Sequence, residues 1–371
     1  MDLLLSEQQK LFAETATRLC LDYGGPRRLR ALRTAAAEID ADAWREIIES
    51  EWLATVVAEG QGGQGLGAFD IALALEQAGR QLLMVPLLEA AAAALTMSRA
   101  EDGLRAGAGL VDLLRGSRLI VPATAAASWR FGAGASGIHY DHKAGVLNGS
   151  IAFVAYGGSA EAFLVALDSG APPVVAVVPR SDVAVATKRN VDGSTASTLT
   201  FASVHVPAEQ VIATGAEAKR LAVQLQEFLM LGAAVELIGL AAGALDVTVD
   251  YIKLREQFGR PIGSFQVLQH RAVNAFIDIE LNRSLAYRVL AAYDAGEHHP
   301  AMISAAKARA SRSASEIVRG ALQMHGAIGY TEEHDIGLYY KRAMALSAQY
   351  GGELHHSRRF SDLTLDAGVS P

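Results

Sequence analysis

"AGVLNGSIAFVAYGG", residues 144–158, is the stretch whose reading decides the fold. Two short apolar runs, 146–147 and 151–155, flank Asn148-Gly149, and β-branched and aromatic residues dominate them. An Asn-Gly pair between apolar runs predicts a two-residue hairpin turn, because both central positions of such a turn need φ > 0. The same texture continues on either side. "SRLIVPATAA" (117–126), "EAFLVALD" (161–168), "PPVVAVVP" (172–179) and "STLTFASVHVP" (197–207) are short runs separated by Gly, Pro, Asn and Asp, the pattern of antiparallel strands.

Helical period takes over outside this block. Upstream, Ser6 with Gln9 three residues on forms a capping-box pattern ahead of Phe12, Ala16 and Leu19. "DADAWREIIESEWL" (40–53) reads as a second helix capped by Asp40 or Asp42. A glycine-rich loop (58–67) follows, and "DIALALEQAGRQLL" (70–83) returns to helical spacing. Downstream, 226–258, 264–296 and 301–326 read as three long helices apolar on many sides, as in a bundle with faces buried against another subunit. The expected architecture is α+β: an N-terminal helical domain (1–117), a middle antiparallel β domain (118–215) and a C-terminal four-helix bundle (216–371).

Composition narrows the function classes. In 371 residues, 51% are hydrophobic and 20% charged, ordinary for a helix-rich globular protein. A net charge of −7 argues against a nucleic-acid binder. The single cysteine, Cys20, allows neither an intrachain disulfide nor a cysteine metal cluster, and a cytoplasmic setting is expected. No signal-peptide pattern opens the chain, and "LLMVPLLEAAAAALTM" (82–97), broken by Pro86 and Glu89, is too short to span a bilayer, so no membrane role is expected.

Three stretches carry a family resemblance. "REQFGRPIGSFQVLQHRAV" (255–273) resembles the R-x-x-F-G…F-Q…Q segment of acyl-CoA dehydrogenases, and "LQMHGAIGYTEEHDIGLYYKRA" (322–343) resembles their Q-x-x-G-G-x-G-Y segment, with Ala327 at the second glycine. "LNGSIAFVAYGGSAEAFLVA" (147–166) is similar to their L-N-G-x-K-x-W/F-I-T segment, and the N-terminal helices match as well. The resemblance implies the acyl-CoA dehydrogenase fold, FAD held at a subunit interface, and oxidation of acyl-CoA thioesters to 2-enoyl-CoA. A glutamate removes the α-proton while the β-hydride passes to the flavin. It implies that Arg255 pairs with the FAD pyrophosphate, Phe258 packs on the adenine or ribose side, and Gln266 hydrogen-bonds the cofactor. Gln323 and the backbone of His325, Gly326 and Ala327 would line the adenine and pyrophosphate. In the family these elements reach the neighbouring subunit's FAD.

The same resemblance implies a loss. Family members carry Tyr-Glu-Gly-Thr where this chain has "QYGGELHH" (349–356), so Gly351 stands at the catalytic glutamate and Glu353 at the threonine. The other family position for the base, on the long helix before Arg255, falls on Leu229. Glu236 lies seven residues beyond it, on nearly the same face but about 10 Å further along. Glu227 lies two residues back, rotated about 200° away. Ion pairing is the expected role of both glutamates, and a polar helix start or interface patch that of His355 and His356. The family's T-E-P-x-A-G-S-D segment is also degraded, to "VPATAAASWRFGAGASG" (121–137), leaving Thr124 as a remnant, and 153–155 keep only the apolar part of the flavin-stacking segment.

The half of the cofactor site that a subunit builds for its own flavin is thus eroded, and the half it lends is largely intact. This asymmetry resembles the glutamate-lacking subunit of bacterial heterotetrameric acyl-CoA dehydrogenases that act on steroid side-chain CoA thioesters. The expected partner is then a related glutamate-bearing chain. The alternatives are a homo-oligomeric dehydrogenase with a displaced base, Glu236 first, or a family-like protein of other or no catalytic activity.

Overall fold

The computed structural model describes residues 5–101, 103–124, 137–168 and 172–365. Helices come first: α1 (Glu7–Tyr23), α2 (Pro26–Thr34), α3 (Ala41–Glu49), α4 (Ala68–Arg80), α5 (Leu87–Ser98) and α6 (Gly103–Leu114). The capping box at Ser6 and Gln9 forms as the sequence implies, and Asp40, not Asp42, caps α3 by accepting from the Ala43 N–H at 3.3 Å.

Eight strands follow: β1 (Ile120–Thr124), β2 (His139–Asp141), β3 (Val146–Ala155), β4 (Ala162–Leu167), β5 (Val174–Pro179), β6 (Ala184–Arg189), β7 (Thr195–His205) and β8 (Val211–Thr214). They form two four-stranded sheets, ordered β1-β4-β5-β8 and β2-β3-β7-β6. Pairing is antiparallel except between β1 and β4, which run parallel. β4 is buried along its whole length, whereas β7 alternates, as expected for a strand with one solvated face.

The expected turn at Asn148-Gly149 is not there. Both residues lie inside β3, and the turn between β2 and β3 falls at 142–145, where Asp141 accepts from Gly145 N through its carbonyl and from Lys143 N and Ala144 N through its side chain. Asn148 instead accepts across the sheet from Ser203 N at 2.8 Å, and Gly149 sits at a register shift with φ +118°, where a Cβ would lie 2.5 Å from Ile138 Cα. The pair that reads as a turn is a bulge and a close approach.

The C-terminal part comprises α7 (Gly215–Leu254), a short hairpin β9 (Glu256–Gln257) and β10 (Arg260–Pro261), α8 (Gln266–Asp294), α9 (Pro300–His325), α10 (Ile336–Ala348) and α11 (Glu353–Leu365). α9 packs against α8, α10 and α11. α7 contains an 18-residue window of mean hydropathy 2.0 that is wholly buried within the chain, which makes it a core helix despite a length and composition that would cross a bilayer. The chain forms two compact units from non-contiguous segments, one of Met1–Ala31, Ala72–Leu83 and Leu231–Pro371, the other of Leu32–Ile71 and Met84–Met230.

One element lacks a covering. Residues 266–278, the first half of α8, include none that is buried, although Val273, Phe276 and Ile277 are 54%, 56% and 47% exposed and Leu281 follows at 51%. Exposed apolar side chains cluster on this half-helix among polar ones.

Candidate functional site

The residues implied as a cofactor clamp gather at one end of the first unit. α7 ends at Leu254, and β9 and β10 then pair Gln257 with Arg260 around a two-residue turn, Phe258 at φ +56° and Gly259 at +76°. This turn holds the Phe258 ring outward, 91% exposed. Phe265 stiffens the hairpin from below: its ring meets Phe258 edge-on at 6.1 Å and carries the Arg260 guanidinium 4.3 Å above it. Arg255 is exposed at the hairpin's root, its backbone fixed by Tyr251 O and Ile262 N, and Gln266 is exposed at the first position of α8.

The second segment meets this one through Tyr251. The Tyr251 hydroxyl donates to the His325 carbonyl at 3.3 Å, and its ring stacks on the His325 imidazole at 4.4 Å. His334 closes the stack edge-on, 4.4 Å from His325. His325 is buried, not solvent-facing. Its Nδ1–H donates to Ala321 O at 2.9 Å, its Nε2 is enclosed without a partner, and burial lowers its pKa. The imidazole is therefore a strut, while the backbone of Gly326 (φ +69°) and Ala327 lies exposed beyond it with the Gln323 side chain.

The turn at Gly351 is built to exclude a side chain. Tyr350 and Gly351 both take positive φ, +56° and +94°, and a Cβ on Gly351 would lie 2.6 Å from His356 Nε2 and 2.8 Å from His355 Cδ2. His356 is fully buried. Its Nε2–H donates to Tyr350 O at 2.8 Å, its Nδ1 has no partner, and burial, with Lys307 close by, lowers its pKa to about 3. Lys307, also fully buried, donates to Ser311 Oγ at 2.9 Å, Ser347 O at 3.1 Å and Gly351 O at 2.9 Å. These three neutral oxygens all accept from the ammonium group. His355 and His356 do stand in the first turn of α11, as expected of a helix start, but they form no exposed patch: His356 points into the protein, and His355 Nε2 is enclosed too.

The displaced-base candidates fare no better. Glu236 accepts from the Arg342 guanidinium at 2.5 Å, and the side chains are only 11% and 16% exposed, so the carboxylate is committed to an ion pair. Leu229 is a buried core leucine and Glu227 is 2% exposed within α7. Of the remnants in the second unit, Thr124 is buried at the end of β1, and Phe153 takes φ +62° at a register shift in β3. Most of the degraded flavin segment, 125–136, lies outside the described residues.

Comparison with known proteins now decides the family. Residues 6–100 match the family description "Acyl-CoA dehydrogenase, N-terminal domain" and residues 227–354 match "Acyl-CoA dehydrogenase, C-terminal domain". The acyl-CoA dehydrogenase IpdE2 of Mycolicibacterium smegmatis is 31% identical over 96% of this chain and 98% of its own. The chain belongs to the acyl-CoA dehydrogenase family. FAD is the cofactor that goes with this membership, and exposed guanidinium, aromatic and amide groups at 255–266 and 323–327 suit it chemically. FadE27 of Mycobacterium tuberculosis, another acyl-CoA dehydrogenase, is 27% identical over 93% of this chain and 96% of its own. Among solved structures, a variant of the steroid acyl-CoA dehydrogenase Tcur3481-Tcur3483 superposes with a TM-score of 0.87 at 27% identity, covering 98% of this chain and 99% of that one. The ChsE4-ChsE5 complex of Mycobacterium tuberculosis shares the fold, with a TM-score of 0.88 at 24% identity over 100% of both chains.

Tyr251, Lys307 and Arg342 are not legible as site residues in the sequence, whereas His356 is. Lys307 had one signal, a lone lysine on the otherwise apolar side of α9 with Ser311 one turn on.

Proposed function

We propose that this chain is the non-catalytic partner subunit of an FAD-dependent acyl-CoA dehydrogenase and completes the FAD site of a related, glutamate-bearing chain. FAD, when bound, supplies the acceptor for the substrate's β-hydride. Taking the α-proton needs a base within hydrogen-bond reach. Gly351 offers none, and His356 and Lys307 fill and fix the space around it. That turn is the observation that carries the reading. Arg255, Phe258, Gln266 and Gln323 are meanwhile exposed and open to a cofactor that a neighbour would hold, and the bare half of α8 adjoins the first three in the chain.

The substrate of the complex is an acyl-CoA thioester, and a steroid side-chain thioester is the class we assign. Support for both assignments comes from the relatives: one solved structure is named as a steroid enzyme of two components, and another as a two-chain complex. The test is made in trans. In a complex co-expressed with a glutamate-bearing relative, Arg255→Met should lower flavin content and raise the apparent Kd for FAD about tenfold or more, the scale of a lost charge-assisted hydrogen bond. Unchanged flavin content and affinity would contradict the clamp.

A further inference from the structure

A cavity of about 260 Å³ lies in the second compact unit, apart from every residue discussed so far. Its apolar lining comes from Ile48 at the end of α3, Leu53 in the 3₁₀ turn Trp52–Val56, and Val111 and Leu114, one turn apart on α6. Glu51, Gln61 and Arg115 complete it with polar groups. The glycine-rich loop reaches the cavity through Gln61 and through Gly62, which ends a 3₁₀ turn at φ +84°. Glu51 holds a left-handed backbone, φ +56° and ψ +30°, at a cost for a residue other than glycine. Glu51 and Arg115 are exposed while Leu53 is buried, so charge sits at the rim and apolar surface at the floor.

The polar groups are uncommitted. Gln61 Oε1 is enclosed without a partner. Among the described residues no hydrogen bond or ion pair engages the Glu51 carboxylate, the Gln61 amide or the Arg115 guanidinium. A hydrocarbon ligand would leave Gln61 Oε1 desolvated and unmatched. A simple carboxylic acid would match Arg115 but add a second anion to a site that already holds Glu51. A simple amine would match Glu51 and add a second cation to Arg115. A zwitterion meets both demands. Its ammonium group has three donors, enough for Gln61 Oε1 and the Glu51 carboxylate together. Its carboxylate suits the guanidinium fork of Arg115. The volume lies just under the roughly 300–1,000 Å³ of drug-sized ligand sites, the scale of a smaller molecule. We propose that this cavity binds a free α-amino acid with an apolar side chain. Arg115 takes the carboxylate, Glu51 and Gln61 take the ammonium, and Ile48, Leu53, Val111 and Leu114 receive the side chain. The site consists of this chain's own residues and stands whether or not the partner reading does.

The test is calorimetric titration of the purified full chain, without partner or flavin, using L-leucine and L-phenylalanine. Three fragments serve as controls: isocaproate lacks the ammonium, isoamylamine lacks the carboxylate, and glycine lacks the side chain. The expected result is that at least one of the two amino acids binds about tenfold or more tightly than any fragment. Arg115→Gln should erase its advantage over isoamylamine, and Glu51→Gln its advantage over isocaproate. Neither side chain makes an internal bond among the described residues, so both variants should keep the parent's melting temperature. The proposal falls if neither amino acid binds, if a fragment binds as well as they do, or if either variant binds like the parent.

Discussion

At Gly351, the proposed position of the absent base, His355 and His356 leave no room for a side chain. Positive φ costs a non-glycine residue about 1–2 kcal/mol, and the contact with His356 adds to it. Gly351→Glu should therefore restore no turnover to the chain alone and should lower its stability by more than about 2 kcal/mol in urea unfolding. A variant with parental stability would show that the turn accommodates a side chain after all. His356 also makes a pH prediction. Its folded pKa of about 3 lies below the ordinary 6.5, so the unfolded chain binds more protons between those values. The stability it contributes is complete above about pH 6.5 and is lost as pH falls toward 3. Melting temperature should drop between pH 7 and pH 5, and His356→Leu should flatten that slope. Burial lowers His325, His334 and His355 in the same direction, so part of the slope should remain. The glycine at the proposed base position is read directly from the sequence. The crowding of that turn is not, because Lys307 reaches it from α9 through tertiary packing and His356 folds back on it only once α11 has formed.

Among the elements, the long helices and most strands follow from period and turn chemistry. The parallel pairing of β1 with β4 does not, since partner choice lies outside any one segment, and Asn148-Gly149 shows turn residues recruited to a bulge. The apolar character of α8 on several sides was visible in sequence as a subunit-facing pattern, and its first half is uncovered in the chain. Burying a side chain such as Phe276 or Ile277 is worth about 1.5–3 kcal/mol. Phe276→Glu should consequently weaken assembly with a partner by tenfold or more while leaving the chain's own melting temperature within about 2 °C. Equilibrium sedimentation and thermal melts check the two halves of this expectation. Unaltered assembly would place the interface elsewhere. The Arg-x-x-Phe-Gly segment was legible as a motif, but the helical reading ran on through Phe258, where the chain instead leaves α7 at Leu254 and turns in a hairpin. The stiffening of that hairpin by Arg260 over Phe265 was not legible, because it depends on how the next helix begins.

In the whole molecule, the family fold carries, on the reading proposed above, only part of the chemistry. The residues proposed as a clamp are exposed, the turn at Gly351 leaves no room for a side chain, and Glu236 is held by Arg342. The most direct measurement is the visible absorption spectrum of this chain purified alone, then mixed with a glutamate-bearing relative, each before and after an acyl-CoA is added. The account predicts a chain that shows no flavin bleaching alone and a mixture that is yellow and bleaches on addition of substrate. A chain that is yellow by itself and bleaches with acyl-CoA would contradict it.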